Sequence, residues 1–439
     1  MKVFPMSCCV LPLIGVVTSS CSFPSNLSTA GGSKSARTEL STATLTSAST
    51  PKVLSLNTAC ALAVSHHPSL ATYPMDRRAA DARILKATRL PNPQLSIDAE
   101  DFFGTGGVSG LSSSVINTLL TQVIERGGKR QARTDAALSK SAVMTAEYEM
   151  RRLKVIRVTG ELYIDAVASH ENVRFLESAL GRARETLKLV TALNDAGRVT
   201  LSAVQQAQLE VQKMELEINT ARKARERASQ ALTAQWGDSR STLVVHNGLG
   251  APPEILASKA SQMGGLVRHP KVLHAQAEVA QAEAYLKLAQ ANRVSNLSVF
   301  GGPRRDNGGD ETSSLLGLSI PLRVFDKKKD AIAEMTALSD KAKAELAGSR
   351  RELETQFSLA WSDLVSAHQA ARKVKKDLLP ISGALFKSAE ESFRVGEMTS
   401  LEFLAAQQQF EDIRGKWLTA RREYQIRAVR VQTLTNRSL

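Results

Sequence analysis

The residues best suited to chemistry in this 439-residue chain are few, and each lacks part of what its reaction needs. His170-Glu171 begins the pattern by which one helix face offers two histidines to zinc, but Arg174 holds the second histidine's place. Gly104 to Gly110 approaches a dinucleotide-binding turn, yet Ser109 stands where the third glycine is required. Gly128-Lys129 has neither the earlier glycine nor the following Ser or Thr of a phosphate-cradling loop. His66-His67 and the His269/His274 pair come nearest to metal ligands. His67 and His269 each precede a proline, a helix-boundary position that other polar residues would serve, and too few ligands converge to hold an ion. Carboxylate pairs for acid–base work are not distinguishable from helix-surface charges. The expectation is a protein that is not an enzyme and has no cofactor and no metal centre.

The elements around these residues say more. Lys2, the apolar stretch Val10 to Val17 and the small residues Thr18-Ser19-Ser20 predict an export signal over 1–20, too short to anchor in a bilayer. Cys21 follows directly and is a lipidation candidate. Thr18 stands where a leucine is usual in such a motif, and ordinary cleavage near Ser20 is the alternative. Lipidation would consume Cys21 and signal removal would take Cys8 and Cys9, which leaves Cys60 without a disulfide partner. Residues 21–52 are Ser/Thr-rich and read as a tether. A formal charge of +14 points to an anionic partner or a face near phosphate-bearing lipid, and the export signal argues against nucleic acid.

The ordered chain is a tandem duplication. His67-Pro68 recurs as His269-Pro270, and Leu95-Ser96-Ile97 as Leu297-Ser298-Val299. Further on, Gly197-Arg198-Val199-Thr200 recurs as Gly396-Glu397-Met398-Thr399. The repeats are expected over 53–250 and 251–439. Proline is absent from Lys129 to Gly250 and from Ile381 onwards, so Lys129 to Leu193 could be one helix on the order of 100 Å long. Val204, Ala207, Val211, Met214, Ile218 and Ala221 alternate spacings of three and four, as do Phe403, Ala406, Phe410, Ile413, Trp417 and Ala420 in the second copy. That is a left-handed seam, and Leu209 and Leu216 add a second line, as for a wall helix with a neighbour on each side; a two-stranded coiled coil, as in a periplasmic adaptor or scaffold, is the alternative.

Other stretches alternate with the period of a strand. Strands are expected at about 94–103, 112–124, 295–301 and 313–322, separated in the two halves by Gly104–Gly107 and by the Gly301–Gly309 loop. Strands of this kind suit an outer-membrane barrel, and four cannot close around a channel, so subunits must pool them. Helical tips are expected at about 195–200 and 394–399.

This pattern resembles the TolC family of outer-membrane channel proteins, and within it the outer-membrane component of cobalt–zinc–cadmium type efflux systems. The likeness is carried by Leu90-Pro91-Asn92-Pro93-Gln94-Leu95, Glu100-Asp101-Phe102 and Gln122-Val123-Ile124-Glu125-Arg126-Gly127-Gly128-Lys129-Arg130, then by Leu318-Ser319-Ile320-Pro321-Leu322 and Phe325-Asp326. It implies a fold mainly α with a small transmembrane β part, as a homotrimeric β-barrel on an α-helical periplasmic tunnel. The partners it implies are a periplasmic membrane-fusion adaptor, an inner-membrane RND transporter and outer-membrane lipid. It also implies adaptor docking at Gly197, Arg198, Val199 and Thr200 and at Gly396, Glu397, Met398 and Thr399. Glu402 matches one acidic position of the family's periplasmic constriction, while Ala405 occupies the other.

Overall fold

The computed structural model describes residues 53–108, 110–238, 244–245 and 248–435. The expected signal, Cys21 and the tether lie outside the described residues.

In the first half, β1 (Val53–Leu54) leads to α1 (Leu56–His66), whose first turn is capped by Ser55 Oγ accepting from Thr58 N. The short α2 (Pro68–Ala71) and α3 (Tyr73–Thr88) follow, then the hairpin of β2 (Gln94–Glu100) and β3 (Val115–Ile124). Next comes α4 (Lys129–Asp195), 67 residues without a break and so about 100 Å long. It turns into α5 (Leu201–Thr233).

The second half repeats the plan. Following β4 (Val244–Val245), which pairs in parallel with β1, come α6 (Lys259–Met263) and α7 (Pro270–Ala291). The second hairpin is β5 (Leu297–Asp306) and β6 (Glu311–Ser319). The descending helix is α8 (Lys329–Lys373) continued by α9 (Leu379–Val395), and α10 (Ser400–Leu434) returns. Between α8 and α9 the backbone widens into a π-turn over Val374–Leu378, just before Pro380. Proline has no N–H to give the preceding turn, and its ring crowds a carbonyl there. The wider turn absorbs both demands and keeps the rod continuous.

The four longer strands form one antiparallel sheet in the order β2-β3-β5-β6. All four strands differ in their bounds from those expected, the second starting only at Val115 and the fourth running from Glu311 to Ser319. The first strand stops at Glu100 because Asp101 and Phe103 take left-handed backbone conformations. The third runs on to Asp306, through glycines that read as a loop in the sequence. Gly301 and Gly302 are strand residues because neighbouring strands come too close for a side chain. A Cβ at Gly302 would collide with the Thr118 carbonyl oxygen, and one at Gly301 would press on Leu316. Only the turn after Asp306 is loop, with Asp306 Oδ1 accepting from Gly308 N and Gly309 N.

Helices α5, α4, α10 and the α8–α9 rod pack side by side as a wall, with α1, α3 and α7 laid against its upper part. Its core is a series of clusters along the rods. One joins Leu54, Tyr163, Leu232, Trp236 and Ile426, another joins Leu353, Phe357, Leu364 and Tyr424, and a third lies at the tips. The seam residues Ala207, Val211, Ile218 and Ala221 are buried. The second line, Leu209 and Leu216, stays largely exposed in the single chain.

Candidate functional site

Where strands hand over to helices, the Glu125–Arg130 motif acquires a structural meaning. Gly127 and Gly128 both have φ near +70° (74° and 70°), which turns β3 into α4 within two residues. Gly127 also has no room for a side chain, since a Cβ there would strike Val294. The Arg133 guanidinium, one helical turn on, closes the joint. It donates to Glu125 Oε1 at 2.6 Å and Oε2 at 3.1 Å, to the Ala87 carbonyl at 3.0 Å and to the Arg89 carbonyl at 3.0 Å. Hydrogen bonding to Arg133 is the main cause holding the Glu125 carboxyl below its ordinary range. The buried Lys129 ammonium donates to Asn296 Oδ1, and burial, then the neighbouring Arg323 charge, push its pKa down.

Register sorts the sheet into two faces, because directly paired residues of antiparallel strands share a face. One face carries Leu95, Ile97, Ile116, Leu120, Val299, Leu316 and Leu318, with Thr118, Gln122, Arg305, Thr312 and Ser314 among them. Leu316 is 81% and Leu318 70% exposed, a cost in water that a hydrocarbon surround removes. The opposite face carries Ser96, Asp98, Glu100, Asn117, Thr121, Arg304 and Ser313, mixed with Val115, Leu119, Val123 and Phe300. Phe300 lies over Gly317, its cross-strand partner. Among the described residues, the outer edges of β2 and β6 are unpaired. Among the described residues, no helix is long and apolar enough to cross a membrane.

At the opposite end the two hairpin tips sit together. Gly197 (φ 71°) and Gly396 (φ 89°) end their helices in the left-handed conformation, and Arg198 Nη2 comes within 2.9 Å of where a Cβ on Gly396 would lie. The two threonines behave differently. Thr399 caps α10 in a reciprocal box: its Oγ1 accepts from Glu402 N at 3.3 Å, and Glu402 Oε2 accepts from Thr399 N at 3.0 Å. Thr200 occupies the equivalent position on α5 without a side-chain cap, and Ala203, where the second copy has Glu402, offers no carboxylate for the reciprocal bond. Its hydroxyl pairs with Ser202 instead, and Asn194 Nδ2 donates to the Val199 carbonyl to close that tip. The Glu402 carboxyl is held below its ordinary range, chiefly by the Thr399 hydroxyl.

Inside the tips Val190, Ala389, Phe393, Phe403 and Ala406 are buried together, and the Phe393 and Phe403 rings stack at 4.7 Å. Phe386 extends the stack to Phe410 at 5.2 Å. Above them α4 and α10 exchange polar contacts. Arg182 Nε donates to Glu411 Oε1 at 2.5 Å, Arg414 Nη1 donates to Glu411 Oε2 at 3.2 Å, and Thr186 Oγ1 donates to Gln407 Oε1 at 2.9 Å. An open groove of 430 Å³ lies between α5 and α10 over α4, with Leu209, Met214, Leu404 and Ala405 among its lining residues.

Sequence reasoning missed the Arg133 joint and the Arg182–Glu411–Arg414 cluster. A trace of the first was present, since Arg133 lies one helical turn past Lys129. The second joins Arg182 to Glu411 across 229 residues, and only its Glu411–Arg414 arm is local. The histidine pair is resolved as helix caps: His67 Nδ1 accepts from Ser69 N and His269 Nδ1 from Lys271 N, each at 3.1 Å. Burial, then the Lys271 charge, lower the His269 pKa to about 4. Among the described residues, no group of three or more metal-ligating side chains is gathered.

Comparison with known proteins matches residues 60–238 and 265–437 to the family described as "Outer membrane efflux protein". The cobalt-zinc-cadmium resistance protein CzcC of Cupriavidus metallidurans is 26% identical over 366 residues, 83% of this chain and 86% of that protein. The nickel-cobalt-cadmium resistance protein NccC of Alcaligenes xylosoxydans xylosoxydans is 24% identical over 277 residues, 60% of each chain. Among solved structures, CusC, described in connection with transmembrane channel formation, superposes with a TM-score of 0.71 at 13% identity, over 87% of this chain and 92% of that one.

Proposed function

The chain belongs to the outer membrane efflux protein family, and we propose from this that three copies assemble into the exit duct of a tripartite pump for divalent metal cations. It is an outer-membrane channel subunit and not an enzyme, with its helical part in the periplasm. The observation that carries the assembly is the open sheet. A single sheet with two unpaired edges leaves backbone groups unsatisfied in hydrocarbon, so it must be closed by the strands of other copies. Twelve strands from three copies would make such a barrel, with the apolar face toward lipid and the mixed face toward the lumen. Leu209 and Leu216 on α5 supply the helical wall with apolar surface for a neighbouring copy.

In this reading the paired tips, from Gly197 to Thr200 and from Gly396 to Thr399, are the docking surface for a periplasmic adaptor, which links the duct to an inner-membrane RND transporter. Glu402 stands beside the second tip, where three copies would place three carboxylates around one axis. Their geometry is set by the capping box, whose hydrogen bonds from Thr399 also lower the carboxyl's pKa. The cargo assignment rests on the metal-resistance relatives, CzcC and NccC. Deletion of the gene, with growth measured across zinc, cadmium, cobalt, copper and a drug panel, tests it. The expected result is selective sensitivity to divalent metals that the wild-type gene restores. Sensitivity to drugs alone, with metal tolerance unchanged, overturns the metal assignment.

A further inference from the structure

Cations gather at one place in the fold. Each of the four strand–helix junctions carries cations. Lys86 and Arg89 precede β2, and Arg126, Lys129, Arg130 and Arg133 follow β3. Lys287 and Arg293 precede β5, and Arg323, Lys327, Lys328 and Lys329 follow β6. The sheet order brings all four junctions to the same end of the sheet, the end that meets the helical wall. Of the nearby carboxylates, Glu125 pairs with Arg133 and Asp326 with Lys328, while Asp330 in the first turn of α8 is the one acidic group next to Lys329. Arg126, Arg130, Arg293, Lys327 and Lys329 are exposed and, among the described residues, have no carboxylate within ion-pair distance. Arg323 Nη1 is buried and makes no hydrogen bond. Two long helices also start with cations, Lys129-Arg130 and Lys329, at the end where the backbone dipole favours negative charge.

Apolar residues are interleaved with these cations. The stripe of Leu316 and Leu318 continues past the last ladder pair into Ile320 and Leu322, and Leu322 is 83% exposed. Val324 and Phe325 follow, and Phe325 is 98% exposed. An exposed aromatic residue flanked by lysines and arginines, directly below a lipid-facing surface, is the composition of a membrane interface, where the ring sits among headgroups and the cations meet phosphate.

We propose that this collar, centred on the segment from Ile320 to Lys329 and completed by Arg126 and Arg130, binds the phosphodiester headgroups of anionic phospholipid in the periplasmic leaflet of the outer membrane. The inference rests on the outer-membrane channel reading. It commits to lipid over soluble phosphate because the apolar stripe runs into the cationic segment without interruption. The collar sets the depth of the barrel in the bilayer.

The test uses the detergent-purified assembled channel, mixed with phosphatidylglycerol or phosphatidylethanolamine of identical acyl chains, with retained lipid counted by native mass spectrometry. The wild-type protein is expected to retain phosphatidylglycerol at least about tenfold over phosphatidylethanolamine at low salt, and to lose that preference near 1 M salt, where screening reaches about 3 Å. The combined Arg126→Gln, Arg130→Gln, Lys327→Gln and Lys329→Gln variant is expected to lower the preference at least about fivefold. Phe325→Ser should reduce retention of both lipids alike. A wild-type preference insensitive to salt, or one unchanged in the four-site variant, overturns the proposal. Displacement of phosphatidylglycerol by an equal concentration of inorganic phosphate overturns the lipid assignment. In a third arm, Phe325→Trp is reconstituted with brominated phosphatidylglycerol, and fluorescence quenching beyond wild type is expected. No added quenching means that a neighbouring copy covers the segment, which refutes lipid contact. Planar-bilayer conductance of the same preparations separates the two readings: conductance with no lipid preference sinks the collar alone, whereas no conductance in any lipid sinks the channel. If the four-site variant fails to assemble, the wild-type salt and quenching arms still decide.

Discussion

Replacing Arg133 with methionine should loosen the joint between barrel and tunnel without touching either. The side chain makes two charge-assisted hydrogen bonds to Glu125 and two to the carbonyls of Ala87 and Arg89, so one residue ties α3, β3 and α4 together. Glu125 is only 9% exposed, so Arg133→Met leaves an almost buried carboxylate unpaired. Breaking a buried pair from one side costs about 3–5 kcal/mol. The lower figure applies here, because Arg133 itself is 35% exposed and water softens its share. At about 1.4 kcal/mol per factor of ten, roughly 3 kcal/mol is at least a 100-fold rise in local opening. Hydrogen exchange on the assembled channel reads this directly, at the amides of residues 87–92 and 122–136. The double variant Arg133→Met with Glu125→Leu removes the orphaned charge and should recover more than half of the protection. The sign with pH follows from the depressed Glu125 pKa. Its contribution is present above the ordinary value of 4.5 and is lost as pH falls through the lowered folded value, so wild type and Arg133→Met converge in acid. Unchanged exchange in Arg133→Met, or a double variant as loose as the single one, would refute the reasoning.

Phe403→Ala removes a fully buried ring stacked on Phe393, a loss of about 3–5 kcal/mol confined to the tips. Limited proteolysis should then cut near residues 393–403 while the barrel end stays intact, and cleavage spread along the wall would contradict the clustered core. Cys60 should be inert to maleimide in the assembled channel at pH 8, because burial pushes its thiol up to about 11, and should label on denaturation. Rapid labelling of the native protein would mean that α1 does not pack on α4 as described.

Local spacing was enough to read what depends on near neighbours. The long helices, the glycine-ended tips and the roles of His67 and His269 before their prolines all rest on hydrogen bonds that span two to five residues, and the duplication shows as the same local motifs recurring. The reciprocal cap of Thr399 and Glu402 is of the same kind, spanning three residues. What remained hidden depends on which segments the topology sets side by side. Strand β5 runs through Gly301 and Gly302 because β3 and β6 press on both sides of it, a crowding that makes a glycine a strand residue and that sequence alone reads as a loop. Arg182 meets Glu411 across 229 residues of chain, and Arg133 reaches back 46 residues to the Ala87 carbonyl. The collar is the clearest case. Its cations are dispersed over four junctions in the sequence and become one surface only when the sheet order β2-β3-β5-β6 brings those junctions to one end, because charge adds by distance in space and not along the chain.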